Sequence, residues 1–118
     1  MSNARDIKRI LGKIYKHESL AGIDLRNLYL SSMDFSHLEL RRADLAGCCL
    51  NHALLDDCDL RDANLTGAKL SHASLNGAKL SGAILANVLA DGASFAGATG
   101  LAPTTVEYLK AKGATGLD

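Results

Sequence analysis

Residues 63–82 read ANLTGAKLSHASLNGAKLSG, with leucine at every fifth place: Leu65, Leu70, Leu75 and Leu80. The count extends both ways. It runs back through Leu60, Leu55, Leu50, Leu45, Leu40, Phe35 and Leu30 to Leu25, and forward to Leu85, thirteen consecutive positions of Leu or Phe. Ala90 and Phe95 continue it. Two residues before each lies a second apolar column, from Ile23, Leu28, Met33 and Leu38 through Ala43, Cys48, Ala53 and Cys58 to Val88 and Ala93. An amphipathic helix repeats its apolar residues at three and four, and a half-buried strand at two. A period of five suits neither.

Two inward residues separated by one outward residue is strand geometry, because side chains alternate faces. The remaining two residues must turn the chain before the pattern restarts. Gly47, Gly67, Gly77, Gly82, Gly92 and Gly97 all fall on the last position of their unit. A type II turn requires a positive φ at its third residue, which Gly adopts without steric cost. Each unit is therefore one short side and one corner, and such units stack neighbour on neighbour into a solenoid.

Ala43-Asp44-Leu45-Ala46-Gly47, Ala63-Asn64-Leu65-Thr66-Gly67 and Ala78-Lys79-Leu80-Ser81-Gly82 resemble the A(D/N)LxG consensus of the bacterial pentapeptide-repeat family. The resemblance covers Ile23 to Gly97 in unbroken register. It implies an all-β solenoid, a right-handed quadrilateral β-helix of just under four coils, here with short α-helical caps at both ends. The expected organisation is a capping helix and lead-in over 1–22, the β-helix over 23–97, and a C-terminal capping helix and tail over 98–118.

Composition is consistent with one narrow domain. The 118 residues carry 13 basic and 13 acidic side chains, no Trp and only 4% aromatics. Zero formal charge provides no global field toward nucleic acid or an anionic membrane. No stretch approaches the 18 apolar residues of a membrane span, and the amino terminus lacks a secretory pattern. Three cysteines, two of them adjacent, show no metal-type spacing. Together these point to a cytoplasmic protein.

Both ends of a solenoid need covering. Residues 4–17 pattern as a helix, with Ile7, Ile10, Leu11 and Ile14 on one stripe and Asn3 as its N-cap. Its other face, Arg5, Lys8, Arg9, Lys13 and Lys16, is basic. This helix is read as a cap over the first coil, whose inner residues are bulkiest; attachment to a membrane surface is the competing reading. At the far end Pro103 suits the first position of a helix, Val106 and Leu109 give it an apolar side, and Gly113 suits its C-terminal cap. Gly97-Ala98-Thr99-Gly100-Leu101 recurs as Gly113-Ala114-Thr115-Gly116-Leu117, which on sequence grounds is no more than two similar turns.

With four units per coil, residues twenty apart should stack. That sets Arg42 under Asp62, His37 under Asp57, His52 under His72, and Glu39 under Asp59 with Arg41 and Arg61 alongside. The outward apolar residues are the exceptions: Tyr29, Cys49 and Leu89 in one column, Ile84 on the adjoining side and Leu54 on a third. These five are the candidate binding residues. Ile84 and Leu89 fall in the last coil, as a seat for the C-terminal helix or as a dimer contact.

No catalytic residues emerge, since no nucleophile has a base and an orienting partner. No cofactor or metal is expected: Cys49, His52 and His72 would supply three ligands on a flat face. Cys48 and Cys58 are inward and inert, leaving Cys49 as the reactive thiol. The expected function is a non-catalytic protein-interaction or scaffolding module with an unidentified protein partner and a homodimer contact at its C-terminal end. The alternative implied by the resemblance is a DNA-mimicking, gyrase-binding protein of the quinolone-resistance type. Against it, the local acids Asp56, Asp57, Asp59 and Asp62 enclose Arg61, and the rod is short. Direct nucleic-acid binding is not expected.

Overall fold

The computed structural model describes residues 4–118. Two helices, α1 (Ala4–Tyr15) and α2 (Pro103–Ala111), flank a stack of coils. Parallel bridges join residues twenty apart: Asp24 to Asp44 to Asn64 to Ile84 on one side, and Tyr29 to Cys49 to Lys69 to Leu89 on the next. Asp34, Leu54, Ser74 and Ser94 make the third side; Glu39, Asp59, Lys79 and Thr99 make the fourth. Four pentapeptides thus complete each coil.

No continuous strand occurs among the described residues; each side contributes one bridged residue. The reason is the corner. A turn every five residues leaves too little extended chain between bends for a longer ladder. Within each corner the amide after the bend donates back three residues, as Ala63 does to the Leu60 carbonyl at 3.0 Å. The fifth residue is left-handed at every corner, and nine of these corner residues between Asn27 and Asn87 are not glycine; His52, Asp57 and Asp62 have φ of 61°, 57° and 61°. Asn, Asp and His tolerate this region better than other L-residues, which accounts for seven of the nine; Ser32 and Arg42 take the same conformation, at φ 62° and 58°.

The interior is a column of Leu and Phe from Leu20 to Phe95 with Ala, Cys and Val beside it, all in one cluster with Ile10 and Leu109 from the two helices. Ladder hydrogen bonds begin at Leu20, whose amide donates to the Glu39 carbonyl at 3.1 Å, one unit before Leu25 where the leucine count starts. Ile7 and Ile14 pack with the bulky Ile23, Leu28, Met33 and Leu38 against that cluster. Leu11 and Tyr15 stay exposed. The N-cap assigned to Asn3 lies outside the described residues.

At the other end α2 starts at Pro103, buries Leu109, and is followed by Gly113 at φ 94°. The chain then re-enters the ladder: Thr115 bridges Ser94 on the third side, as Thr99 bridges Lys79 on the fourth. The recurring Gly-Ala-Thr-Gly-Leu segments therefore have a physical role. Each lays one threonine on the ladder and packs its Ala and Leu (Ala98 and Leu101, Ala114 and Leu117) against the core.

Candidate binding surface

The ladder does not use the amide of the residue after the central Leu, and that amide must find an acceptor elsewhere. In most coils the outward Asp or Asn provides it. The amides of Arg26, Ser36, Ala46 and Thr66 donate to Oδ1 of Asp24, Asp34, Asp44 and Asn64 at 2.9–3.2 Å. Where the outward residue cannot do so, a side chain one coil below can: Ser71 donates to Asn51 Oδ1 at 3.1 Å, Asn76 to Asp56 Oδ1 at 3.0 Å, and Ala96 to Asn76 Oδ1 at 3.0 Å. The Asp/Asn of the motif is thus a structural acceptor. The acceptor role of Asn51, Asp56 and Asn76 was missed in the sequence; its signal is a carboxylate or amide twenty residues before a unit that lacks its own.

Leu54 and Ile84 depart from this pattern, as Glu39 and Lys79 do on the fourth side. Among the described residues the amides of Arg41, Asp56, Ser81 and Ala86 have no protein acceptor, so the missing acceptor is not peculiar to the apolar positions. Ile84 and Leu89 are 50% and 52% exposed, Leu54 is 42% and Tyr29 72%. Thus α2 leaves Ile84 and Leu89 half-exposed. The column of Tyr29, Cys49 and Leu89 also contains Lys69, which separates Leu89 from the other two; Ile84 and Leu54 lie on different sides.

Between the last coil and α2 runs a groove of about 530 Å³, lined by Ile84, Ala86, Asn87, Thr104, Thr105 and Tyr108 among others. The Tyr108 hydroxyl donates to the Val88 carbonyl at 3.1 Å and fixes the helix over the adjoining side. These α2 residues carried no sequence signal beyond the end of the repeat.

The acidic cluster is internally compensated. Arg61 grips Asp59 through two bonds of 2.8 and 2.7 Å, and Arg41 lies 3.9 Å away. That hydrogen-bonded guanidinium holds the Asp59 carboxyl down at about 2. Asp56 accepts from the Ser74 hydroxyl and the Asn76 amide. His37 Nδ1 sits 3.7 Å from Asp57.

The thiols divide by environment. Cys48 and Cys58 are fully buried, each donating to a carbonyl at 2.7 Å (Leu25 and Phe35), and burial pushes them up to about 11 and about 12. Cys49 is partly exposed; the Ser31 hydroxyl, 3.0 Å from its sulfur, holds that thiol below its ordinary range. All three are free. His52 and His72 stack with ring centroids 5.2 Å apart. Among the described residues no group of three His, Cys, Asp or Glu is placed to hold a metal, and no helix is long and apolar enough to cross a membrane.

Side chains on regular coils, with these end caps, define a solenoid assembled from five-residue units. The pentapeptide-repeat family model matches residues 19–57 and 58–97, eight copies in all. The chain belongs to the pentapeptide-repeat family. A pentapeptide repeat protein from Nostoc PCC 7120 is similar at 22% identity, with 91% of this chain and 94% of that one covered and a TM-score of 0.52. A pentapeptide repeat protein of the Arabidopsis thaliana thylakoid lumen is 30% identical over 77% of this chain and 73% of its own, with a TM-score of 0.41. No curated protein matches. Family membership and the Nostoc likeness imply the right-handed quadrilateral β-helix.

Proposed function

We propose that this protein is a non-catalytic binding module, a rigid stack of about four coils that meets a protein partner through its C-terminal half. The observation that carries this reading is the outward apolar pair Ile84 and Leu89. They stay half-exposed on adjoining sides of the last coil. A single outward leucine or isoleucine would be unremarkable; two of them, on adjoining sides of one coil, are the apolar surface that a partner would cover. A reducing compartment such as the cytoplasm suits the partly exposed free thiol of Cys49. The compensated Asp59–Arg61 cluster does not favour mimicry of an anionic duplex.

Affinity capture with the full chain tests this. A partner retained by the parent and lost with Ile84→Asp/Leu89→Asp, at unchanged melting temperature, supports the module. Equal recovery by both proteins removes this surface from the function. The same variant measured by solution mass tests the homodimer at the C-terminal end.

A further inference from the structure

The last coil is closed unevenly. On the third side the Phe95 amide donates to the Thr115 carbonyl at 3.0 Å, and the Thr115 amide donates to the Ala93 carbonyl at 2.8 Å. The Leu80 amide on the fourth side is likewise taken by Thr99, at 2.8 Å. The first side, residues 83–87, has no ladder partner above it, and on the second side only the Gly92 amide is taken, by the Gly113 carbonyl at 3.0 Å. One coil lower, the equivalent side is complete: Leu65 donates to Ile84 at 2.8 Å, Gly67 to Ala86 at 2.8 Å, and Ile84 to Ala63 at 2.9 Å. Among the described residues the corresponding Leu85 N–H, Asn87 N–H and Ala83 C=O make no such bonds. The cause is α2. Its nine residues occupy the length of chain that would otherwise have formed the next two sides, and the ladder resumes only at Thr115.

This open edge forms one wall of the groove, with Thr104, Thr105 and Tyr108 opposite. We propose that the groove takes an extended, uncharged segment of a partner polypeptide by strand addition, which deepens and rests on the binding-module reading. The edge presents two donors and one acceptor at the spacing of the coil below, the complement of an extended backbone. The partner residue that bridges Ile84 would donate its N–H to Ala83 and accept from Leu85; its second carbonyl onward would accept from Asn87. Its side chain would then stand over Ile84, so an apolar residue fits there, and no charged side chain lines the groove to favour an ionic one. The molecule already does this to itself, because Thr115 is a non-repeat residue laid on the same coil by the same bonds.

The test uses the full chain and a displayed library of random decapeptides, followed by titration of a selected synthetic peptide into labelled protein. The expected result is slower hydrogen exchange at Leu85 and Asn87, tenfold or more at saturation, with exchange at Leu65 and Gly67 unchanged. Ile84→Asp should weaken the peptide at least tenfold, and Thr105→Arg, on the helix side of the groove, should do the same without touching the coils. Three results would overturn the proposal: no peptide enriched over the Ile84→Asp control, bound peptide with unaltered exchange at Leu85 and Asn87, or self-association abolished by Ile84→Asp, which would assign the edge to a second copy. If peptides bind elsewhere, strand addition fails while the binding-module reading survives, since affinity capture tests that separately.

Discussion

Thr115 stands on Ser94 as Thr99 stands on Lys79, each threonine amide donating to an alanine carbonyl below, Ala93 at 2.8 Å and Ala78 at 3.0 Å. Between these two threonines the chain makes a helix in place of two sides. That exchange closes the sides carrying Lys79 and Ser94 and leaves those carrying Ile84 and Leu89 without a bridge above.

The Asp59–Arg61 pair predicts a defined acid sensitivity. The folded carboxyl titrates near 2, below the ordinary value of about 3.9. A depressed carboxylate stabilises the fold fully above its unfolded value, and that contribution is lost as pH falls from about 4 toward 2. With the Asp59 side chain 18% exposed, about 1–2 kcal/mol is at stake after screening. Arg61→Ala should return the Asp59 titration toward the ordinary value and shrink the difference in stability between pH 6 and pH 2.5 by that contribution. A Tm-against-pH profile unchanged by the substitution would count against the pairing.

Corner side chains fold over the glycines above them. The Asp62 carboxylate occupies the space where a Cβ on Gly82 would stand, and Gly82 has φ 73°. Gly82→Ala should therefore cost roughly 1–2 kcal/mol from the left-handed backbone plus the displacement of Asp62. In an Asp62→Ala background only the first cost should remain. A denaturant double-mutant cycle measures this, and strict additivity would show that the stacked carboxylate is irrelevant.

Thiol chemistry should separate the cysteines cleanly. At pH 8 iodoacetamide should modify Cys49 quickly and Cys48 and Cys58 only under unfolding conditions, because the thiolate is the nucleophile and burial disfavours it at the inner positions. Ser31→Ala should slow Cys49 by raising its pKa. Peptide mapping by mass spectrometry reads both effects, and rapid labelling of Cys48 would contradict a close-packed interior.

Much of this was legible in the sequence because the repeat ties each position to one environment. Leu55 could only point inward, Cys49 only outward, and His52 could only lie beneath His72. Helix α2 was legible from Pro103, Leu109 and Gly113. Three things were not. Nothing local marks Asn76 as the acceptor for an amide twenty residues on. Single-residue bridges instead of strands follow from the tightness of the corners, which a hydrophobic period does not report. The open edge at Leu85 and Asn87 arises from what α2 replaces, a relation between segments distant in the chain. The Gly-Ala-Thr-Gly-Leu echo was visible as a repeat but became interpretable only when both threonines were seen on the ladder.

Hydrogen–deuterium exchange at single amides of the free protein is the most direct measurement. Leu65 and Leu85 are consecutive members of one inward column, both buried, and differ in whether a coil lies above them. Leu65 and Gly67 should be protected relative to Leu85 and Asn87 by on the order of 100-fold or more, as expected for ladder-bonded against unbonded amides. Equal protection of the two pairs would mean that the first side is already closed in the free protein and has no edge to offer a partner.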